Sequence, residues 1–266
     1  MVTMNGTAAD PSAGDASPDP GTERVRRLQE SLSALAQLPT VRVRLEETLT
    51  RVARLAVLAI PGADGAGLTL LEKGHADILV STADFVTEVD AVQYGIGQGP
   101  CISAAAEGRT VRSASLGGDG RWPQFGSKVA RLNVHSALSL PLLTPDGVVG
   151  AMNIYAHRKR AFTDESAQFG ERFAAPAAIA VQNALVLAQA RRLAAHLQLG
   201  LTNRTVIERA VGIMMSRTGT TPDEALSRLR QLSTSSHTKL QVVAAAVVDQ
   251  AVRRAISRNT RADGDL

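Results

Sequence analysis

The chain carries one cysteine, Cys101, in 266 residues, which excludes an intramolecular disulfide and fits a reducing compartment. No apolar run approaches the roughly 20 residues of a membrane helix, and no charged start leads into an apolar core. Neither a membrane span nor an export signal is therefore expected, and the cytoplasm is the expected location. The chemistry-bearing patterns are missing too. There is no phosphate loop, no paired metal-ligand cluster, no supported Ser-His-Asp order, no kinase histidine box and no receiver-type phosphoacceptor. The expectation is a protein without catalytic residues, metal or cofactor. Residues 1–22 lack Lys and Arg and are rich in Gly, Pro, Ser, Ala and Asp, a composition that cannot offset chain entropy. They read as a disordered tail, as do residues 259–266.

What is present points to two modules. Hydrophobic residues make up 44%, enough for real cores, and the length suits one ordinary domain and one small one. Charge is uneven. Residues 204–258 hold nine basic side chains against four acidic ones, an excess of five that leaves the remainder one negative. A basic module on a near-neutral body suits a polyanionic partner, although a solvated helical face has the same composition.

Residues 23–60 repeat apolar positions at helical spacing (Leu28, Leu32, Leu35, then Val41, Leu45, Leu49, Val52, Leu55), with Pro39 dividing two helices. Strands are expected over 67–71 and 77–81, and short helices over 84–93, 99–106 and 122–132. Residues 136–143 and 148–155 form a hairpin around Thr144-Pro-Asp-Gly147. Thr163 caps a long helix carrying Phe173, Ala177, Val181 and Leu185 past Leu193, longer than one domain's closing helix requires. Beyond it the pattern is purely helical. One helix covers 203–217 and stops at Gly219, and Thr221-Pro-Asp-Glu224 opens a second with a capping box. The polar stretch Ser233-Thr-Ser-Ser-His237 precedes a third. Three helices of this size make a thin core, so a partner subunit is expected, and a homodimer through residues 173–214 is the simplest.

Two resemblances sharpen this. Gln93-Tyr94, Gly97-Gln-Gly-Pro-Cys101, Arg121-Trp-Pro-Gln-Phe125, Ser136-Ala-Leu-Ser-Leu-Pro-Leu142, Gly150-Ala-Met-Asn-Ile-Tyr155 and Ala161-Phe162 together resemble a GAF domain over residues 38–190. Arg204-Thr-Val-Ile-Glu-Arg-Ala-Val-Gly-Ile-Met-Met-Ser-Arg217, Ala225-Leu-Ser-Arg-Leu-Arg230 and Lys239-Leu-Gln-Val-Val-Ala244 resemble an ANTAR domain over residues 199–252. Gly200 and Ser233 depart from that pattern: the first can bend the helix, and the second loses packing. The expected fold class is α+β, a GAF domain with an antiparallel sheet flanked by helices, then an all-α three-helix ANTAR domain after a long connecting helix. The expected domains are 23–190 and 191–258. The resemblance implies a transcription antitermination regulator that binds hairpin RNA in nascent transcripts as a dimer.

Arg230, Ser236, His237 and Lys239 gather charge, a hydroxyl and backbone donors at the junction of the last two helices, the mixture an RNA loop needs. Arg204, Arg209 and Arg217 are weaker RNA-binding candidates, since arginines on a dimer helix often pair with neighbours such as Glu208. On residue types alone, Ser235 or Ser236 equally reads as a helix cap and Arg230 as the partner of Glu224 or Asp223. A DNA-binding third helix is the main competitor, but its outer side offers Gln241, Ala245, Ala246 and Asp249, a poor match to a groove. A third reading is a small-molecule-binding GAF signalling protein without nucleic acid. In that module Asp90, Gln93, Tyr94, Gln98, Cys101 and Asn153 can face a small ligand, and the same positions equally describe a closed core. Cys101 has no second thiol and His135 stands alone on its strand, which favours packing over redox or haem chemistry. Ala210 and Gly212 read as sites of close helix packing.

Overall fold

The computed structural model describes residues 19–38, 43–72 and 75–262, with side chains described except at 72, 75–79, 200–202 and 258–262. Its contacts divide the chain into two units, residues 1–188 and 189–266.

The first unit begins with α1 (Pro20–Ala36), whose Asp19 side chain accepts from the Gly21 and Thr22 amides. This helix starts inside the expected tail, because an Asp cap followed by Pro in the first turn satisfies the helix start locally. Residues 1–18 and Pro39 lie outside the described residues. α2 (Leu45–Ala59) follows, then β1 (Gly65–Glu72), β2 (His75–Ser81), α3 (Asp84–Ile96), α4 (Pro100–Glu107), β3 (Val111–Ser113) and α5 (Pro123–Val129). β4 (Ser136–Thr144) and β5 (Gly147–Ala156) complete the sheet, in the order β2-β1-β5-β4-β3 with every pairing antiparallel. α6 (Asp164–Thr218) is entered through Thr163, whose hydroxyl accepts from the Ser166 amide at 3.3 Å.

Alternation along the central strands sorts the core into two layers. Leu68, Leu70, Leu138, Leu140, Leu142, Met152 and Ile154 turn toward α1, α2 and the start of α6, where Leu49, Val52, Phe169, Phe173 and Ala177 meet them. Ala137 and Tyr155 turn the other way, against Val86, Val89, Trp122 and Phe125 of the α3–α5 side. β3 is absent from the expected elements; three residues with Arg112 exposed between buried Val111 and Ser113 are too short for a periodic signal.

α6 runs unbroken through Gly200, where a bend is expected, and through Pro176, whose missing amide costs a helix interior about 3 kcal/mol. Burial of Phe173, Ala177, Ala178 and Val181 around that proline offsets the loss. One 18-residue window of α6 has a mean hydropathy of 1.4, so this helix is long and apolar enough to cross a membrane by length and composition alone, although it contains no uninterrupted apolar run of that length. Alanines supply much of that apolarity, and several pack onto the sheet.

In the second unit α6 ends at Thr218, with Gly219 left-handed at φ 68° and its amide bonded to the Met215 carbonyl at 2.9 Å. α7 (Pro222–Ser235) carries the full capping box: the Glu224 amide donates to the Thr221 hydroxyl and the Glu224 carboxylate accepts from the Thr221 amide. α8 (Leu240–Ala262) extends four residues into the expected C-terminal tail, and 263–266 lie outside the described residues. The core of this unit is Ala210, Leu229 and Ala244, with half-buried Val206, Ile207, Met214, Leu240 and Val247 around them.

Candidate functional sites

Of the six ligand candidates in the first unit, five come together as a closed polar cluster. The register sets Gly67 of β1, Asn153 of β5 and Ser139 of β4 side by side across three strands. Asp90 of α3 descends onto this row. A Cβ at Gly67 would stand 2.3 Å from the Asp90 carboxylate, so only glycine leaves the carboxylate room. Asp90 accepts from the Tyr155 hydroxyl at 2.6 Å and the Asn153 amide at 3.2 Å, and Ser139 donates to Asn153 at 2.8 Å. Burial of the carboxyl pushes its pKa up to about 6 despite both donors.

One turn further along α3, the Gln93 side-chain carbonyl accepts from the Cys101 amide at 3.0 Å, and the Tyr94 hydroxyl lies 3.1 Å from the Cys101 sulfur. The Gly97-Gln-Gly-Pro-Cys101 motif serves this contact. Gly97 closes α3 in the left-handed region, and Gly99, at φ 152°, passes so close that a Cβ would sit 2.1 Å from the Gln93 oxygen. Burial raises the Cys101 thiol to about 11 and also raises Tyr94, so the sulfur stays protonated and unreactive at neutral pH. Gln98 lies in the loop between α3 and α4 and makes none of these hydrogen bonds. Its side-chain oxygen and the Gln93 side-chain nitrogen are buried without hydrogen-bond partners. A ligand reaching Asp90, Asn153 or Cys101 would have to displace bonds the chain already makes. Tyr155 and Ser139 complete the cluster and are absent from the sequence-based candidates; the alternation that puts Asn153 and Tyr155 on one face of β5 is the available signal.

In the second unit the junction differs from the sequence expectation. Ser236 and His237 close α7 instead of opening α8. His237 is left-handed at φ 52°, its amide donates to Thr234 at 3.3 Å and the Thr238 amide to Ser233 at 3.1 Å, a Schellman closure with histidine where glycine is usual. The Ser235 and Ser236 hydroxyls both donate back to the Leu232 carbonyl. The amides of Ser236, His237 and Thr238 are therefore satisfied within the chain, and the exposed His237 ring and Lys239 ammonium are what the junction presents outward. The Lys239 carbonyl accepts from the Val242 and Val243 amides at the entry to α8. Arg230 is exposed on α7 beside buried Leu229, and among the described residues it makes no ion pair, so the pairing with Glu224 or Asp223 is absent. Arg204 is tied to Glu208 at 2.8 Å, while Arg217 is exposed in the last turn of α6. Ala210 is fully buried, whereas Gly212 is exposed with nothing within 4 Å of its Cβ position, so within the chain no helix packs against it.

An α+β module with a sealed polar interior, followed by a small helical module with exposed cations, defines a two-module regulatory protein. Comparison with known families agrees. Residues 43–182 match the GAF domain and residues 195–248 match the ANTAR domain. The chain belongs to the GAF domain family and carries an ANTAR domain after it, the composition of an ANTAR-type RNA-binding regulator; both domains are regulatory, not catalytic. Among solved structures the chain is similar to a free methionine-R-sulfoxide reductase of Neisseria meningitidis in complex with its substrate, at 16% identity and TM-score 0.48 over 64% of this chain and 94% of that one. It is also similar to the GAF domains of phosphoenolpyruvate-protein phosphotransferases from Acinetobacter and Coxiella burnetii. The first is 12% identical at TM-score 0.45, over 62% of this chain and 97% of that one. The second is 18% identical at TM-score 0.45, over 66% and 99%. No curated protein matches the chain.

Proposed function

We propose that the chain is a transcription antitermination regulator, with residues 23–190 acting as the sensor and residues 191–258 as a dimeric element that binds hairpin RNA in nascent transcripts. The observation that carries this reading is the α7–α8 junction, where Arg230, His237 and Lys239 stand exposed around a rigid Schellman turn. Guanidinium and ammonium groups neutralise phosphates, and an imidazole ring offers a face on which an unpaired base stacks. Location in the cytoplasm follows from an RNA target.

Dimer formation is supported along α6. Ile179, Val186 and Leu193 recur every seven residues and are 56%, 57% and 61% exposed, and Leu197, four residues on, is 58% exposed. That spacing suits the seam of a two-stranded coiled coil, with Gly200 at the next sevenfold position. The buried polar cluster around Asp90 makes the sensor reading one in which a small ligand, or a change at the cluster itself, alters α3 and α4.

Binding of the full chain to a two-hairpin RNA and to duplex DNA of equal length tests the proposal. Preference for the RNA is expected. In the double variant Arg230→Ala/Lys239→Ala the RNA affinity should fall by about 1–3 kcal/mol for each side chain removed, with a flatter salt dependence. Preference of the wild type for duplex DNA would overturn the reading in favour of a DNA-binding regulator.

A further inference from the structure

Gly212 stands mid-helix in α6 without a reason inside its own chain. A glycine there weakens the helix relative to alanine, yet its φ is not positive and its Cβ position is open. Neither backbone strain nor intrachain packing requires it. With Ile213, Val248, Ala251 and Ala255 it lines an open groove of about 870 Å³ between α6 and α8. Arg209, Ser216 and Arg217 line one side from α6, and Arg254 lines the other from α8.

The spacing explains the gathering. Arg209, Gly212 and Ser216 lie three and four residues apart, on one face of the helix. No carboxylate lines the groove, and among the described residues Arg209, Arg217 and Arg254 make no ion pair, whereas Arg204 on the same helix is neutralised by Glu208. Three guanidinium forks beside the open Gly212 position suit a row of phosphates, because each fork matches phosphate geometry and the glycine lets a sugar–phosphate backbone come close, while Ile213, Val248, Ala251 and Ala255 complete the lining. A second copy seated on the same groove about a two-fold axis would set the three arginines against their own counterparts.

We infer that this groove is a second RNA-contact surface, taking the phosphodiester backbone of a hairpin stem while the α7–α8 junction meets the loop. The inference rests on the RNA-binding reading above. It assigns Arg254 and Gly212 a role beside Arg209 and Arg217, none of which requires base recognition.

The test uses the full chain and a two-hairpin RNA titrated between about 50 and 200 mM salt. In Arg209→Ala/Arg217→Ala/Arg254→Ala the slope of log affinity against log salt should flatten by about two to three, near one for each phosphate no longer neutralised. Gly212→Leu keeps every charge and fills the open position; RNA affinity should fall at least about tenfold, while circular dichroism and sedimentation match the wild type. If the wild type binds no RNA, the RNA-binding reading fails and the groove's role with it. If the wild type binds and both variants retain its affinity and slope, the groove inference is overturned and the junction reading stands. If Gly212→Leu instead dissociates the protein while surviving dimers bind RNA as before, a second copy occupies the groove and the inference is wrong.

Discussion

The first unit seals Tyr155, Phe125, Phe173, Leu138 and Met152 to near-zero exposure on two faces of a five-stranded sheet, whereas the second closes over Ala210, Leu229 and Ala244. Apolar side chains follow the same division. Leu193, Leu197, Leu199, Val242, Val252 and Ile256 of the second unit are all more than half exposed. A unit with a large core carries its own stability; in the second, Ala210, Ala225, Leu229 and Ala244 are the fully buried apolar side chains among the described residues, a core of the size that gains most from association. The polar groups invert the pattern. The first unit buries the Asp90 carboxyl, the Gln93 and Asn153 amides and the Cys101 thiol while pairing many of its surface arginines with carboxylates, and in the second Arg209, Arg217, Arg230 and Arg254 are exposed without an ion pair among the described residues. One is built to be closed and the other to be touched.

Four experiments break or sharpen this contrast. The largest effect is expected for Leu229→Ala, which removes the one large side chain sealed in the small core and costs about 2–5 kcal/mol. Hydrogen exchange should show α7 and α8 losing protection while the sheet is unchanged; retained protection would mean the small unit is sturdier than its core. Next comes Asp90. Its folded pKa, about 6, lies above the ordinary 3.8, so the folded state holds this proton more tightly than the unfolded state. Its contribution to stability is fully present below about pH 3.8 and is lost as pH rises through about 6. Asp90→Asn keeps the acceptor oxygen and removes the charge, so it should stabilise the first unit by up to about 3 kcal/mol above pH 6 and by nothing below pH 4. Chemical denaturation at both pH values reads the difference, and a gain independent of pH would refute the buried charge. Thr221→Ala deletes half of the capping box and should cost about 0.5–2 kcal/mol, seen as fraying at the start of α7 by amide exchange. Smallest is Arg204→Ala, which breaks an exposed ion pair with Glu208; thermal melting should be unchanged, and a clear drop would show that the pair contributes more than an exposed pair ordinarily does.

Local chemistry is the legible part of the sequence. The capping box at Thr221, the stop at Gly219 and the β4–β5 hairpin each depend on residues within a few positions, and each stands as read. The α+β class follows from the same signals together with the two family resemblances. Features set by distant contacts are not legible. Gly200 and Pro176 are both breakers by propensity, yet α6 passes through both. The junction differs from its reading because nothing in Ser-Ser-His announces a left-handed histidine; that conformation is fixed by the α7 carbonyls it closes. In the polar cluster the six candidates are polar and central by sequence, but whether they face a ligand or one another depends on the register of β1, β4 and β5. Gly212 reads as a packing residue by sequence, and within the chain its face of α6 is open, because a sequence cannot say which face of a helix its own chain covers.

Cys101 has a practical consequence. As the one cysteine of the chain, buried and held as a thiol by its surroundings, it reacts with an alkylating reagent only when the first unit opens. The rate of labelling under native conditions is therefore a clock for that opening, set by its equilibrium when reclosing is fast. The second unit has no thiol and stays silent, so a single mass shift of the intact protein resolves which module has yielded. A compound that settles in the first unit would slow the clock, and one that displaces the Tyr94–Cys101 contact would speed it, which makes alkylation a screen for whatever this module senses.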